Sequence, residues 1–215
     1  MIRFTLIVNI KMSKSQLNQD LNVLKFYNNK RDGFFVEIGA SDGVTLSNTH
    51  LLEKSYKWKG ICVEPIPHDF LQLKINRPNS MCCDNAVYNI SGLEVKFDIS
   101  NKEHLLSGIS THIDRHKHII NKNKTTINVN TISLVDLLDK YHAPEFIEYM
   151  SLDTEGSEYE ILKTFDFNKY KIGLIDVEHN YIEPRRSQIK KLLTENGYVY
   201  LGENKWDDSY KHKSL

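Results

Sequence analysis

From Phe34 onward the chain alternates strand-like and helix-like segments, and this order limits its possible folds more than any other feature. In the first half, three apolar runs predict strands and two patterns between them predict helices. In chain order these are Phe34–Ile38, Thr45–Lys54, Gly60–Glu64, the segment that Pro65 and Pro67 open and that runs through Ile75, and Ser80–Asp84. Strands that alternate with helices indicate βαβ units. We therefore expect an α/β fold with a mostly parallel sheet and helices on both faces.

The same alternation returns near the end of the chain. The predicted strands and helices there are, in order, Phe146–Leu152, Ser157–Phe165, Ile172–Glu178, Arg185–Leu193 and Tyr198–Leu201. The final stretch, Glu203–Leu215, is polar, and we expect it to add no more than an edge strand.

The middle of the chain departs from this pattern. Ala86–Tyr88 and Glu94–Phe97 flank Ser91-Gly92, a dipeptide typical of turns, so the sequence predicts a hairpin there. Asn101–Lys124 is polar and rich in His, Lys and Asn. A loop of this length in a compact domain usually has a function, so we predict that residues 100–125 form a substrate loop.

A strand and a helix are predicted after this loop. Thr126–Thr131 alternates polar and apolar residues as a strand does. Ser133 is the predicted N-cap of a helix through Leu138, because Ser is a favoured capping residue and Asp136 follows three positions later.

Length and charge exclude several classes of protein. The 215 residues suit a single domain over 1–215, with residues 1–30 as an N-terminal extension. Equal numbers of basic and acidic residues, 28 of each, predict no basic surface for nucleic acid. No apolar run approaches the roughly 20 residues that span a bilayer, so no membrane span is expected.

Met1–Ile10 is predicted to be an edge strand or a loose arm. Cys62, Cys82 and Cys83 lie in apolar runs, which predicts buried thiols and a cytoplasmic location.

Polar or glycine-rich clusters follow every predicted strand of the parallel sheet. They are Gly39-Ala40-Ser41-Asp42-Gly43, Glu64, Asp84-Asn85, Asp153-Thr154-Glu155-Gly156 and Glu178-His179. Ligands of open α/β sheets bind at this edge. The first cluster lacks the second glycine of the dinucleotide fingerprint and the Lys of a phosphate loop. Glu64, at the end of the second strand, suits the two hydroxyls of a ribose. The pattern therefore indicates a nucleoside ligand.

More specific motifs extend from about Ser15 to Asn180. They are Ser15-Gln16 with Gln19-Asp20, Gly33-Phe34-Phe35-Val36-Glu37-Ile38-Gly39-Ala40, Ser47-Asn48-Thr49 with Leu52-Glu53, Trp58-Lys59-Gly60 with Val63-Glu64-Pro65, and Ser151-Leu152-Asp153-Thr154-Glu155-Gly156 with Glu158 and Leu162. In this order and at these spacings, the motifs resemble the FkbM family of class I methyltransferases. The resemblance implies a Rossmann-like sheet of seven strands or nearly so, the cofactor S-adenosylmethionine, and methylation of hydroxyl groups, often on sugars or other natural products.

The resemblance also implies roles for individual residues, position by position. Glu37 and the backbone of Gly39, Ala40, Ser41, Asp42 and Gly43 are expected at the methionine end of the cofactor, with Gln16 and Asn48 closing over it. Glu64, with Pro65 beside it, is expected at the ribose. Asp84 or Asn85, with Ala86, is expected at the adenine, and Asp153 near the sulfonium and the acceptor.

Simpler interpretations of the same residues remain open. The glycines also suit a tight βα turn, and Glu64 could cap the following helix. Asp153 and Glu155 could cap the helix that follows them, although Ser157 is the better N-cap candidate.

Methylation of an alcohol requires a base or a metal ion. The candidates for catalysis are Asp153, Glu155 and His179. Asp153, Glu155 and Glu178 could instead bind Mg²⁺, which prefers oxygen ligands. Glu178 and His179 adjoin, so on a continuing strand they face opposite sides and only one is expected to reach the site.

The resulting hypothesis is an O-methyltransferase for a hydroxyl of a sugar, glycan or other small natural product. A non-catalytic module like the animal protein Star, which resembles the same family, is the first alternative, and retention of Glu37, Gly39, Glu64 and Asp153 argues against it. A nucleic-acid methyltransferase is the second, and the neutral charge argues against that. The oligomeric state stays open.

Overall fold

The computed structural model describes residues 12–102, 104–113, 117–120 and 122–215. The predicted N-terminal arm over residues 1–10 and His116 of the predicted substrate loop lie outside the described residues. None of the described helices is long and apolar enough to cross a membrane.

A seven-stranded sheet forms the centre of the molecule. Its strands are β1 (Phe34–Ile38), β2 (Lys59–Val63), β3 (Met81–Cys83), β8 (Phe146–Leu152), β9 (Lys171–Glu178), β10 (Tyr198–Asn204) and β11 (Asp207–His212). They lie in the order β3-β2-β1-β8-β9-β11-β10. The first five are parallel to one another, and β11 pairs antiparallel with both β9 and β10. The predicted α/β class with a mostly parallel sheet is confirmed.

The C-terminal stretch differs from the prediction. It was expected to add no more than an edge strand, but β11 lies inside the sheet, between β9 and β10, and β10 forms the edge. The inner position is physically reasonable, because Tyr210 of β11 is fully buried in the core that covers one face of the sheet.

Helices cover both faces of this sheet. In chain order the described helices are α1 (Gln19–Phe26), α2 (His50–Tyr56), α3 (Pro67–Asn76), α4 (Lys117–Ile120), α5 (Leu134–Lys140), α6 (Glu158–Leu162) and α7 (Arg185–Glu195). Of these, α4 packs against the smaller sheet described below and does not cover the large one. On one face, α1, α2 and α3 bury apolar residues against Phe35 and Tyr149 of the sheet. On the other, α5, α6 and α7 bury theirs against Val36 and Met150. Neighbouring residues of one strand thus serve opposite cores, as the pleat requires.

The helix predicted from Thr45 begins later, at His50. Asp42 accepts hydrogen bonds from the backbone N–H groups of Val44 and Thr45, which fixes a turn after β1. Leu46 then adopts a left-handed conformation, with φ 57°. Residues 45–49 therefore form a loop, and this loop contributes to the site described below.

A smaller sheet packs beside the large one. It consists of β4 (Ala86–Tyr88), β5 (Glu94–Ser100), β6 (Gly108–Ile109) and β7 (Lys124–Ser133), in the order β4-β7-β5-β6. The predicted hairpin of β4 with β5 is wrong, because β7 lies between the two and pairs with both. Thr131 of β7 causes this arrangement: its carbonyl accepts from Gly92 N–H and its hydroxyl donates to Ile90.

The segment predicted as a substrate loop contains regular structure. A 3₁₀ helix (His104–Leu106), β6 and α4 lie within it. The predicted strand over Thr126–Thr131 is part of β7, and the predicted N-cap of α5 is confirmed, since Ser133 Oγ accepts from Asp136 N–H at 3.1 Å. All three cysteines are free, and Cys62 and Cys83 are buried.

Candidate active site

A cavity of about 480 Å³ lies at the carboxyl edge of the parallel strands. This volume falls within the range of roughly 300–1,000 Å³ that is typical of sites for small molecules. Residues that follow β1, β2, β8 and β9 line it, together with Trp206 and Asp207 where β11 begins. The small sheet adds Ala86, Phe97 and Ile109. The cavity therefore lies where an open α/β sheet is expected to bind its ligand.

Glu64 occupies the end of β2 and faces this cavity. Its Oε2 accepts from Ser41 N–H at 2.9 Å, and its Oε1 accepts from Ile66 N–H at 2.8 Å. Each carboxylate oxygen has two lone pairs, so each keeps one acceptor position for a ligand hydroxyl. Burial raises the pKa of Glu64 to about 7, and the negative charge of Asp69 adds to the shift. Glu64 thus bonds the turn after β1 and still offers the two acceptors that a ribose diol requires. The bond to Ile66 N–H also fixes the start of the following helix, since Ile66 is the N-cap residue of α3.

The glycine-rich turn after β1 is only partly open to the cavity. Gly39 and Ser41 line it, whereas Ala40, Asp42 and Gly43 do not. Gly39 has φ 87°, and a Cβ at this position would lie 2.1 Å from the carbonyl oxygen of Asp153. Glycine is therefore required for the ends of β1 and β8 to come together. Asp42 acts within the turn, through the bonds to Val44 and Thr45 already described.

Glu37 lines the cavity, and its carboxylate accepts three hydrogen bonds from the loop before α2. Its Oε1 accepts from Asn48 N–H at 2.7 Å, and its Oε2 accepts from the hydroxyls of Ser47 at 2.9 Å and Thr49 at 2.6 Å. These bonds fix the loop before α2. They place Asn48 at the cavity, where its Nδ2 donates to Ser151 Oγ at 2.8 Å.

The segment before α1 closes one side of the cavity. Gln16 and Gln19 both line it. Gln19 Nε2 donates to Asp207 Oδ2 at 2.6 Å, and Ser15 Oγ donates to Asn48 Oδ1 at 2.7 Å. This segment therefore bridges the loop before α2 and the start of β11, on opposite sides of the cavity.

Only one of the residues predicted near the adenine lines the cavity. Ala86 lines the cavity with Val87, and Pro65 lines it beside Glu64. Asp84 and Asn85 do not line it. Asn85 is turned toward the small sheet, where its Nδ2 donates to the carbonyl of Asn130 at 3.3 Å.

Asp153, Glu155 and Glu178, the three predicted metal ligands, lie together in the cavity. One carboxylate oxygen from each lies within 4.8 Å of the other two. Asn180 Nδ2 donates to Glu178 Oε2 at 2.6 Å. Burial and the charge of Asp153 raise the pKa of Glu178 well above its usual value. The surrounding protein and the charge of Glu158 raise that of Asp153. Acids whose pKa is raised toward neutrality can accept and release protons under physiological conditions.

The turn between these acids and α6 is not capped by Ser157, the residue expected to cap the helix. Ser157 holds the N-cap position of α6, but its side chain makes no capping bond there. Glu158 bonds the turn instead: its Oε1 accepts from the N–H groups of Thr154 and Gly156, both at 3.0 Å. The turn before α6 is therefore held by Glu158.

His179 does not line the cavity, so the geometry does not support its predicted role as a base. Its side chain is only 1% exposed and faces away from the cavity that Glu178 lines. His179 Nδ1 accepts from Tyr181 N–H at 2.9 Å, and Nε2 lies 3.5 Å from Asp208 Oδ1. The expectation that only one of the two neighbours reaches the site agrees with this geometry.

Several lining residues were not predicted to belong to the site. They are Gln19, Ser151, Asp176, Asn180, Trp206 and Asp207. Ser151 and Asp176 precede the predicted strand ends, within the strands. Trp206 and Asp207 lie at the turn into β11, where Trp206 O accepts from the N–H groups of His179 and Asn180. Trp206 and Asp207 could have been predicted only if β11 had been recognised as an antiparallel inner strand.

The strand order, with an antiparallel strand inserted beside the edge strand, and the cavity at the carboxyl edge define a class I S-adenosylmethionine-dependent methyltransferase fold. Solved structures are similar to it. Two structures of the METTL16 MTase domain share 11% and 10% sequence identity with this chain, at TM-scores of 0.53 and 0.51, and each match covers 92% of this chain and 67% of the other. Precorrin-6y C5,15-methyltransferase from Geobacter metallireducens GS-15 is 11% identical, with a TM-score of 0.49 over 93% of this chain and 88% of that one.

The model of the methyltransferase FkbM domain matches residues 37–200. The chain therefore belongs to the FkbM methyltransferase family and is an S-adenosylmethionine-dependent methyltransferase. No curated protein sequence matches it.

Proposed function

We propose that this enzyme transfers the methyl group of S-adenosylmethionine to a hydroxyl of an unphosphorylated small molecule, such as a sugar, a glycan or another natural product. The observation that carries the proposal is the acidic lining of the cavity. Eight acidic side chains line it: Glu37, Glu64, Asp69, Asp153, Glu155, Asp176, Glu178 and Asp207. Among the lining residues that the structure describes, none is Lys, Arg or His.

This charge distribution suits the cofactor. S-adenosylmethionine has a net positive charge, because its sulfonium and ammonium groups outweigh its carboxylate, and negative surroundings favour a cation. Glu64 has the acceptor positions to hold the ribose. Gly39, Ser41 and Asn48 are available for the methionine end, and Ala86 for the adenine. The residues present therefore fit the cofactor that the family uses.

The same charge distribution argues against a nucleic acid as the acceptor. Proteins that bind polynucleotides neutralise phosphates with Lys and Arg, and these interactions dominate their affinity. A phosphate in this cavity would meet carboxylates and no described basic side chain. A neutral polyol meets hydrogen-bond acceptors for its hydroxyls instead.

When bound, S-adenosylmethionine supplies an activated methyl group, so the protein has to align the acceptor and remove its proton. Asp153 and Glu155 are the proposed proton acceptors, because both line the cavity and their carboxylates lie close together there. Alcohols are much weaker acids than carboxylic acids, and the raised pKa of Asp153 makes its carboxylate a stronger base than an ordinary aspartate. Trp206, which also lines the cavity, offers an apolar ring for the carbon face of an acceptor.

Asp153, Glu155 and Glu178 also have the ligand chemistry that a hard divalent cation such as Mg²⁺ requires. Their close approach is the specific observation in favour of this second possibility. Such an ion would lower the pKa of an acceptor hydroxyl and reduce the need for a base.

A methyl-transfer assay on matched acceptors tests the proposal. Purified protein is given S-adenosylmethionine and neutral glycosides, the corresponding sugar phosphates, and short RNA, with Mg²⁺ or with a chelator. We expect turnover on a neutral glycoside, and loss of at least about 100-fold in Asp153→Asn or Glu155→Gln, as for removal of a general base. Preference for RNA or sugar phosphates would contradict the proposal. Loss of turnover in the chelator would favour the metal.

A further inference from the structure

Arg77 is a fully buried cation behind the cofactor end of the cavity. It follows α3, its side chain is 0% exposed, and it does not line the cavity. A guanidinium without water requires charged and polar partners. Arg77 finds them on three elements: β1, α2 and the loop that joins them.

The contacts of Arg77 form two groups. The first is structural: its Nε donates to Glu53 Oε2 of α2 at 2.5 Å, and its guanidinium carbon lies 5.3 Å from the centre of the Phe35 ring. The second group reaches the loop between β1 and α2. Nη1 donates to the carbonyl of Gly43 at 3.2 Å and to Ser47 Oγ at 3.1 Å, and Nη2 donates to Thr49 Oγ1 at 2.8 Å.

These loop contacts lie directly behind groups that line the cavity. Gly43 ends the turn in which Ser41 N–H bonds Glu64, while Ser47 and Thr49 flank Asn48. Ser47 and Thr49 also donate to Glu37, and Arg77 Nη1 lies 3.4 Å from the same Glu37 oxygen. One guanidinium therefore fixes two parts of the loop between β1 and α2, one two residues after Ser41 and one on both sides of Asn48. A lysine cannot do this, because an ammonium lacks the planar fork of donors.

We propose that Arg77 is a positioning residue that sets the shape of the cofactor end of the site by tying the turn at Gly43 to the Ser47–Thr49 segment. The inference rests on the proposed cofactor placement, and it assigns to Arg77 an effect on affinity separate from its effect on stability. Small displacements of a positioned group are sufficient for large losses of binding or rate.

The test compares S-adenosylhomocysteine affinity, measured by calorimetry, with the melting temperature in four proteins. They are the wild type, Arg77→Lys, Thr49→Val and Ser80→Ala. Thr49→Val keeps the side-chain shape and the buried charge but removes the hydroxyl through which Arg77 Nη2 is linked to both the loop and Glu37. Ser80→Ala is the matched control, because Ser80 Oγ donates to Glu53 Oε2 at 2.5 Å in the same network, on the side away from the loop.

We expect Arg77→Lys to weaken binding at least about tenfold and Thr49→Val several-fold, with wild-type affinity in Ser80→Ala. If Arg77→Lys does not fold, the comparison of Thr49→Val with Ser80→Ala decides. Equal affinities in those two variants, whatever their melting temperatures, would overturn the inference and leave Arg77 a purely structural residue. A folded wild type that binds neither S-adenosylmethionine nor S-adenosylhomocysteine would instead overturn the proposed cofactor placement.

Discussion

Binding of S-adenosylmethionine is expected to weaken as the pH falls through about 7, because Glu64 must be ionised to accept two ribose hydroxyls. Glu64 is only 5% exposed, and burial is the main reason that its pKa rises to about 7. A group with this pKa is about nine-tenths ionised at pH 8 and about one-tenth ionised at pH 6. If only the ionised form binds, affinity falls about tenfold over this interval, or about 1.4 kcal/mol.

The stability of the ligand-free protein is expected to change with pH in the opposite direction to the cofactor affinity. The pKa of Glu64 in the folded chain lies above the usual value of 4.5. Its contribution to the stability of the ligand-free protein is therefore present at low pH and is lost as the pH rises through about 7. The melting temperature of the ligand-free protein should fall over the same pH interval in which cofactor affinity rises.

Calorimetric titrations at several pH values, in wild type and in two variants, provide the assay. Glu64→Gln replaces one acceptor oxygen with a donor, so we expect affinity about 10- to 100-fold lower at pH 8, as for loss of a hydrogen bond to a charged group. Its remaining affinity should lose the tenfold pH dependence. Asp207→Asn is the control for the titration of another buried acid. Burial raises the pKa of Asp207 to about 7 as well, but Asp207 lies at the other side of the cavity from Glu64. Wild-type affinity that is flat from pH 6 to 8, or a tenfold fall that persists in Glu64→Gln, would refute the reasoning.

Three further predictions follow from individual contacts. S-adenosylmethionine should bind about fivefold more tightly than neutral S-adenosylhomocysteine, from a charge interaction of about 1 kcal/mol. Calorimetry should show this preference shrink in Glu155→Gln, and an unchanged ratio would count against the acidic cavity. His179→Ala should change S-adenosylhomocysteine affinity less than about twofold, because the ring lies outside the cavity. A tenfold loss would show that His179 does contribute to the site. Glu158→Gln should lower the melting temperature by about 4–8 °C, equivalent to about 2 kcal/mol for a chain of this length, because the fully buried Glu158 carboxylate accepts bonds from Thr154 and Gly156. Glu160→Gln, at a more exposed ion pair with Lys163, should change it by less than about 2 °C, and equal effects would contradict the assignment.

The parallel part of the fold could be predicted because its strands are buried on both faces. Continuous apolar runs such as Phe34–Ile38 and Phe146–Leu152 follow from that burial, and the structure confirms both as strands. The polar residue after each run is equally visible, because it lies where burial ends. For this reason Glu64, Asp153 and Glu178, which all line the cavity, were found in the sequence.

The small sheet could not be predicted in the same way, because its pairing depends on contacts between distant residues. The turn at Ser91-Gly92 is real, with Gly92 at φ 80°, but a turn signal does not specify which strands pair. Thr131 lies about 40 positions from this turn and takes the hydrogen bonds that a local hairpin would have used. Local sequence carries no information about such a competitor.

The charge of the site depends on the direction of a strand. A polar residue before a parallel strand lies at the amino edge of the sheet, far from the ligand. β11 runs antiparallel, so its first residue, Asp207, lies opposite Glu178 at the carboxyl edge. The turn that carries Trp206 is brought to the cavity for the same reason. Asp207 and Trp206 could therefore be assigned to the site only once the direction of β11 was known. Because Asp207 adds an acidic side chain to those that follow β8 and β9, the antiparallel strand makes this side of the cavity more acidic, and this acidity supports the proposed acceptor without phosphate.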